Sequence, residues 1–170
     1  TSSMPNDGKT INCINMAISF AMLGKRTLLI DADMRNPTIY RYFGIRYKNG
    51  LSEVLAGVQE QVDIRQSGVE NLSLITSGDI PPNPAELLGL DRLDQLLRQL
   101  REEFDYIFID LPPVEVVTDA TILANKVTGF LFVVQAGKSD LGRARHSVDT
   151  IRQLGGRIVG VVLNDLNGKT

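Results

Sequence analysis

Tryptophan is absent from this chain, and cysteine and histidine each occur once among its 170 residues. A single thiol, Cys13, can form neither an intrachain disulfide nor a zinc site, so disulfide scaffolds and cysteine-based metal sites are excluded. No apolar run approaches the roughly 18–20 residues that a membrane-spanning helix needs. The net charge of −2 gives no broad positive field, so no nucleic-acid partner is expected.

Apolar residues are plentiful. They make up 43% of the chain against 22% charged residues, so a core can form and disorder is not expected. The length of 170 residues fits one domain, residues 1–170. Short apolar runs alternate with amphipathic patterns along the whole chain. This alternation predicts an α/β fold with a mostly parallel sheet and helices on both faces.

The predicted strands are uninterrupted apolar runs, which are typical of parallel strands buried on both faces. They cover residues 27–30, 72–75, 106–109, 130–134 and 158–163. Helical periodicity predicts helices over residues 9–23, 51–55, 85–103 and 140–154. The first helix follows a polar loop, and we expect the strand that normally precedes such a helix to lie upstream of this chain.

The segment from Ser3 to Thr10 matches the phosphate-binding pattern G-x-x-x-x-G-K-[ST] except at its first position. Gly8 lets the backbone approach a phosphate, and the amides that open the following helix point toward the anion. Lys9 supplies a mobile positive charge for the β- and γ-phosphates. The Thr10 hydroxyl is a hard oxygen ligand that suits Mg²⁺. The alternative is a loop with a solvated lysine.

Two carboxylates, Asp31 and Asp33, follow the apolar run 28–30 directly. If the chain stays extended, they lie on the same side of it. Two like charges at that separation are costly unless a cation lies beside them. The alternative is a polar turn at the end of a strand, which Asn36 and Pro37 would complete.

Asp110 ends the apolar run 106–109, and two prolines follow it. In nucleoside triphosphatases an aspartate at this place holds Mg²⁺, usually through water. Ligands of open α/β sheets bind outside the carboxyl ends of the strands, so all three motifs are expected at one edge. Asn164 ends the last run at the same edge, where its amide could read a nucleotide base or simply cap a turn.

With these motifs the chain resembles the bacterial tyrosine kinases of capsule and exopolysaccharide synthesis, over residues 1–168. The matching phosphate loop and acidic motifs are residues 5–10, 29–37 and 107–113. More specific to these kinases than to phosphate-loop proteins generally are residues 76–88, 117–120 and 160–164. The related septum-site and partition ATPases carry an extra lysine near the start of the loop, where this chain has Met4.

The resemblance implies a phosphate-loop nucleoside triphosphatase fold that uses ATP and Mg²⁺. Lys9 would bind the β- and γ-phosphates during catalysis, and Asp31 would be the base or positioning group beside the tyrosine hydroxyl. Thr10, Asp33 and Asp110 would hold the metal, directly or through water. The implied nucleotide-binding residues are Asp7, Gly8, Lys9, Thr10, Ile11 and Asn164.

The resemblance also implies partners and a location. Such kinases associate with, or are fused to, a membrane-spanning activator of polysaccharide polymerisation, which places them in the cytoplasm at the inner face of the membrane. They form homo-oligomers and phosphorylate a tyrosine-rich tail of the same or a neighbouring molecule. This chain has no tyrosine cluster after Asn164, no strand before the loop, and Ser3 in place of glycine. Autophosphorylation and assembly are therefore expected to need segments outside it.

Three functions are compatible with the motifs. The first is an ATP- and Mg²⁺-dependent tyrosine kinase that regulates capsular or exopolysaccharide synthesis, which Met4 and the proline-rich segment 81–84 favour. The second is a partition- or septum-site-type ATPase whose output is ATP-driven dimerisation. The third is a regulatory nucleotide-binding module without catalytic activity. Phosphotransfer to tyrosine distinguishes the first from the others, and ATP hydrolysis distinguishes the second from the third.

Overall fold

The structure is a computed structural model that describes residues 1–114 and 119–165. It contains two compact units. The continuous unit runs from Thr10 to Asp110, and the discontinuous unit combines Thr1–Lys9 with the chain from Leu111 onward. The α/β fold with mostly parallel strands is confirmed.

Strands and helices alternate as the sequence predicts. The helices are α1 (Lys9–Met22), α2 (Ile39–Tyr42), α3 (Leu51–Leu55), α4 (Pro84–Gly89), α5 (Asp91–Glu103), α6 (Asp119–Ile122) and α7 (Leu141–Gln153). The strands are β1 (Thr27–Asp31), β2 (Arg65–Gln66), β3 (Leu72–Ile75), β4 (Tyr106–Asp110), β5 (Phe130–Gln135) and β6 (Ile158–Asn164). Among the helices described, none has the length and apolar character that crossing a bilayer requires.

The continuous unit is built on a four-stranded sheet with the order β2-β3-β1-β4. β1 runs parallel to both β3 and β4, whereas β2 is antiparallel to β3. β1 has a paired strand on each side, and all five of its residues are buried. β4 ends this sheet, and its first four residues are only partly covered. The register pairs Asp31 with Asp110, so both strands end on a carboxylate at the same edge.

The core of the continuous unit lies between α1 and the sheet. Ile14, Ala17 and Ala21 recur at helical spacing on α1 and are buried with Leu29 and Leu72 from the strands. The sequence pattern predicts a stripe of Ile11, Ile14, Ile18 and Ala21 on this helix; Ile14 and Ala21 are buried, Ile18 is partly buried and Ile11 is exposed. This packing holds α1 against β1. It therefore also holds the N-terminal end of α1, into which the phosphate loop leads.

The discontinuous unit is built on β5 and β6, which pair in parallel. Ser2 forms a parallel bridge to Val133 of β5. α7 begins at the N-cap Asp140, whose side chain accepts a hydrogen bond from the Arg143 amide at 2.9 Å. Such a cap satisfies one of the free amides at a helix start. The chain leaves α7 through Gly155, whose φ of 84° is open to glycine at little cost.

The expectation that every strand is buried on both faces is wrong for β4, whose residues 106–109 are half-buried or exposed, and most clearly for β6. Its residues alternate between half-buried and exposed, with Val159, Val161 and Leu163 on the exposed side. β6 pairs only with β5 among the residues described, and nothing in the described discontinuous unit covers this face. An apolar run alone does not reveal whether a second layer covers both faces of a strand.

The single helix predicted over residues 85–103 is two helices. The chain is extended at Leu90 (φ −69°, ψ 148°) between α4 and α5. The leucine periodicity continues across the break because both helices bury leucines, so the pattern does not show it. α2, β2 and α6 are too short to be predicted from periodicity. The kinase-specific stretch 117–120 lies partly outside the described residues.

Candidate functional site

The phosphate loop belongs to the discontinuous unit as far as Lys9, where α1 begins. Asn6 (φ 67°) and Gly8 (φ 90°) adopt left-handed backbone conformations. At Gly8 a side chain would be strained, so glycine is required there for the loop to turn into the helix. The first amides of an α-helix have no partner within the helix, which makes this point a natural anion site.

Asp7 shapes the loop from inside. It is 4% exposed, and its Oδ2 accepts hydrogen bonds from the Met4 amide at 3.0 Å and the Ser3 hydroxyl at 3.4 Å. Its Oδ1 accepts a hydrogen bond from the Ser139 hydroxyl at 2.7 Å. The carboxylate that the sequence places among the nucleotide-binding residues is therefore engaged in contacts within the protein.

Asn164 lies at the end of β6, and its Nδ2 donates to the Asp7 carbonyl at 3.1 Å. The amide thus holds the phosphate loop from the strand end. Both Asn164 and Ser139 connect the loop to parts of the chain more than 130 residues away. The prediction that Asn164 reads a nucleotide base stays a prediction.

In the continuous unit, the ends of β1 and β4 bring Asp31 and Asp110 side by side. Both carboxylates are buried. The Thr10 hydroxyl donates to Asp110 Oδ2 at 2.6 Å, and the Ala32 amide donates to the Asp110 carbonyl at 2.9 Å. The last residue of the phosphate-loop pattern and the third motif, 100 residues apart, are therefore in contact.

Asp31 has an unusual environment for a carboxylate. It is 1% exposed, and its Oδ2 accepts hydrogen bonds from the amides of Thr38 and Ile39 at 3.2 and 3.1 Å. Its Oδ1 has no hydrogen-bond partner among the residues described. Burial, followed by the charge of Asp110, raises the pKa of Asp31 from 3.8 to about 7, and the charge of Asp33 adds to the rise.

Asp33 is also buried and lies two residues beyond Asp31. Its Oδ1 accepts a hydrogen bond from the Asn36 amide at 3.1 Å. The extended-chain expectation that the two carboxylates influence each other is supported by the electrostatic effect of Asp33 on Asp31. Ile11, by contrast, is an exposed residue in the first turn of α1.

The oxygen donors of the continuous unit fit Mg²⁺. Within residues 1–114 and 119–165, no three acidic, histidine or cysteine side chains form a ready cage for a metal. Mg²⁺ does not need such a cage, because it is usually held by one or two carboxylates, waters and substrate phosphates. The unpaired Asp31 oxygen and the raised pKa of that carboxyl show negative charge that a cation would offset.

The predicted site residues fall into two groups. One group lies in the continuous unit: Thr10, Ile11, Asp31, Asp33 and Asp110. The other lies in the discontinuous unit: Asp7, Gly8, Lys9 and Asn164. Sequence reasoning missed Ser139 and the amides of Thr38 and Ile39, because no local pattern marks a long-range contact. The only signal was Asn36-Pro37, a turn that directs the chain back toward Asp31.

Comparisons with known proteins show which family the chain resembles. The family model of the AAA domain (AAA_31) matches residues 6–138. Tyrosine-protein kinase CpsD of Streptococcus pneumoniae serotype 4 is 38% identical over 169 residues, which is 98% of this chain and 74% of that protein. The solved structure of the kinase domain of the Escherichia coli tyrosine kinase ETK is 32% identical, with a TM-score of 0.95 over 100% of this chain and 67% of that chain.

A more distant likeness concerns the fold alone. The septum site-determining protein MinD of Pyrococcus horikoshii, complexed with Mg-ADP, has a TM-score of 0.82 at 22% identity, over 98% of this chain and 69% of that one. The phosphate-loop fold is thus shared with such ATPases, whereas sequence identity above 30% is found with tyrosine kinases. The chain belongs to the bacterial tyrosine kinase family, as its motifs predict.

Proposed function

We propose that this chain is an ATP- and Mg²⁺-dependent protein-tyrosine kinase. The observation that carries the proposal is Asp31. Its carboxylate is buried, has one oxygen without a hydrogen-bond partner among the described residues, and has its pKa raised to about 7. A carboxylate with a pKa near the working pH is suited to orient a hydroxyl group and accept its proton.

In the proposed reaction the tyrosine oxygen forms a bond to the γ-phosphorus of ATP. The bond from that phosphorus to the β–γ bridging oxygen breaks, ADP leaves, and the hydroxyl proton passes to Asp31. The ammonium of Lys9 and the amides after Gly8 offset charge on the phosphates. Mg²⁺, when bound, neutralises phosphate charge, and Thr10, Asp33 and Asp110 would hold it.

The names of the relatives support the same reaction class, since CpsD and ETK are both called tyrosine kinases. We further propose that the chain regulates capsular or exopolysaccharide synthesis and acts with a membrane-spanning activator at the inner face of the membrane. Its natural acceptor would be a tyrosine-rich tail, in the same or a neighbouring kinase molecule of a homo-oligomer.

The test is a phosphotyrosine assay by mass spectrometry, with Mg-ATP and a copolymer of glutamate and tyrosine as the acceptor. The wild-type chain is compared with Lys9→Met, and with Lys25→Met as the matched control because Lys25 is an exposed lysine in the turn after α1. Lys9→Met should weaken Mg-ATP binding about ten- to a hundredfold in calorimetry, since one charge-assisted contact is worth about 1.5–3 kcal/mol.

Labelling of tyrosine by the wild type and the Lys25 variant, but not by Lys9→Met, supports the kinase. Hydrolysis of ATP with ATP-dependent dimerisation and no labelled tyrosine would instead support a partition-type ATPase. Nucleotide binding with neither hydrolysis nor labelling would leave a regulatory module. Unchanged affinity in Lys9→Met would remove that lysine from the site.

A further inference from the structure

A pocket of about 330 Å³ lies in the continuous unit, beside the segment that follows β1. Its lining comes from residues 35–37 with Tyr40 and Arg41, and from Tyr47 with Asp79 and Ile80. None of the carboxylates of the candidate site lines it. Its volume is at the lower end of the range for small-molecule sites, which suits one or two side chains of a peptide.

The Tyr47 side of the pocket is held in place by hydrogen bonds to its backbone. The guanidinium of Arg65 donates to the carbonyls of Arg46 and Lys48, and the Thr76 hydroxyl donates to the Tyr47 carbonyl at 2.9 Å. These bonds fix the backbone on both sides of Tyr47. From this backbone the Tyr47 ring packs against the ring of Tyr40.

The Asp79 side is fixed in a similar way by the start of α3. The Ser52 hydroxyl donates to the Asp79 carbonyl at 2.7 Å, and the Asp79 amide donates to Glu53 Oε1 at 2.9 Å. Glu53 Oε2 also accepts from the Gly50 amide at 2.9 Å. Burial alone would raise the pKa of Glu53, but the hydrogen bonds to its carboxylate lower it. Tyr47 and Asp79 thus belong to one hydrogen-bonded frame, formed by residues 47–53 and 76–79.

The interior of the pocket combines aromatic rings and positive charge. The rings of Tyr40 and Tyr47 pack with their centroids 5.2 Å apart. Arg41 Nε donates to the Tyr40 hydroxyl at 2.9 Å, and its guanidinium carbon lies 5.4 Å from the Tyr40 ring centroid. With Arg35, the pocket has two cations against one carboxylate, Asp79. An anionic group is the complementary occupant.

Part of the pocket lining belongs to the segment that contacts Asp31, at the end of β1, and Asp33, just after it. The Asn36 amide binds Asp33, and the amides of Thr38 and Ile39 bind Asp31. A peptide whose tyrosine hydroxyl meets Asp31 would therefore have neighbouring residues within reach of Arg35 and Arg41. The same short segment would then orient the carboxylate and read the sequence around the acceptor.

We propose that this pocket binds acidic side chains next to the acceptor tyrosine, so that Arg35 and Arg41 select substrates with glutamate or aspartate beside the tyrosine. The inference rests on the proposed function, because it assigns the pocket to the acceptor of that reaction. It adds a specificity that the phosphate-loop chemistry does not itself require.

Direct binding tests the pocket without catalysis. A fluorescein-labelled peptide, Glu-Glu-Phe-Glu-Glu, replaces the acceptor tyrosine with phenylalanine, and a second peptide carries lysines in place of the glutamates. Fluorescence anisotropy should show tighter binding of the acidic peptide to the wild-type chain. Arg35→Gln and Arg41→Gln should each weaken it about tenfold, the expected loss of one charge-assisted contact.

The matched control is Arg46→Gln, an exposed arginine of the same stretch that does not line the pocket and whose backbone carbonyl stays intact. It should bind the acidic peptide as the wild type does. Arg41→Glu should reverse the preference toward the lysine peptide, a change that general loosening of the structure would not produce. Thermal unfolding of each variant checks that it folds.

Equal binding of both peptides by the wild type, or acidic-peptide affinity unaffected by both arginine variants, would overturn the proposal. So would a loss of Mg-ATP affinity in those variants equal to the loss of peptide affinity, because the pocket would then serve the nucleotide. Tyrosine versions of the peptides separate the two proposals. Arginine-dependent binding without phosphorylation would contradict the kinase proposal alone. Phosphorylation at the same rate whatever the flanking residues would contradict the pocket proposal alone.

Discussion

Asp7 and Asp31 are both buried aspartates in motifs that the sequence assigns to the nucleotide, yet their surroundings are opposite. Both oxygens of Asp7 accept hydrogen bonds, from Ser3, Met4 and Ser139. In Asp31 one oxygen accepts two amide hydrogen bonds and the other has no partner among the described residues. A fully bonded carboxylate holds a loop in shape, whereas a partly bonded one keeps capacity for a proton or a cation.

The two aspartates should also differ in their effect on the stability of the fold. Hydrogen bonds compensate the burial of Asp7, so this residue should stabilise the fold. Burial of Asp31 beside Asp110 is not fully compensated, as the raised pKa shows, so this residue should destabilise the fold at neutral pH. Active sites commonly retain such strain because the chemistry needs it.

The largest effect is expected on catalysis at Asp31. Asp31→Asn keeps the side-chain volume but removes the base, and it should lower tyrosine phosphorylation about 10²–10⁴-fold while changing nucleotide affinity little. Asp33→Asn should mainly weaken Mg²⁺-dependent nucleotide binding, since Mg²⁺ prefers a carboxylate. Single-turnover phosphotransfer and calorimetry measure the two quantities. An equal loss of nucleotide affinity in both variants would contradict the assignment.

The next effect concerns pH and stability. The folded pKa of Asp31, about 7, lies above its ordinary value of 3.8, so the folded state binds the proton more tightly. The contribution of Asp31 protonation to the free energy of unfolding is therefore fully present below about pH 3.8 and is lost as the pH rises through 7. Urea unfolding in EDTA measures the free energy of unfolding of both proteins. Relative to the wild type, that of Asp31→Asn should rise by a few kcal/mol between about pH 3.8 and pH 7. Parallel curves for the two proteins would refute it.

Asp7→Ala should act in the opposite direction. It leaves the Met4 amide and the Ser3 and Ser139 hydroxyls without their acceptor, at a cost of about 1–3 kcal/mol. For a chain of this size, that loss lowers Tm by roughly 2–4 °C per kcal/mol. Calorimetry at pH 8 should therefore show Asp7→Ala below the wild type and Asp31→Asn above it. Tm shifts of the same sign in the two variants would contradict the opposite roles of Asp7 and Asp31.

The smallest effect is expected at the other end of the Asp7 hydrogen bond. Ser139→Ala should cost about 1.5 kcal/mol, the lower end of the range for a hydrogen bond to a charged group, because it removes one of three donors to the Asp7 carboxylate. The Asp7→Ala/Ser139→Ala double variant should lose less than the sum of the single losses, since both remove the same contact. Ser19→Ala is the control, because Ser19 is an exposed residue of α1 whose hydroxyl donates to the Asn15 carbonyl of the same helix. Additive losses at Asp7 and Ser139 would show that the bond contributes nothing.

The sequence predicted the strand ends well because hydrophobic runs and the polar residues that end them are adjacent in the chain. Asp31 and Asp110 are each preceded by their own strand, and parallel register brings them together. The chemistry of Asp31 was not predictable to the same degree, since its raised pKa depends on burial and on amides seven and eight residues away. Ser139 and the pocket depend on contacts between distant segments, and β6 on whether its outer face is covered.

Gly50 shows how little freedom the frame around the pocket leaves for sequence change. A Cβ atom at this position would overlap the Thr76 carbonyl and the Gly78 amide, both of which are backbone and have no rotamer to yield. At Gly44, a left-handed position with open space around it, asparagine is a tolerable replacement. Two glycines six positions apart thus differ in evolutionary constraint. Gly44 can be replaced in evolution, whereas Gly50 must remain glycine as long as its backbone packs against residues 76–78.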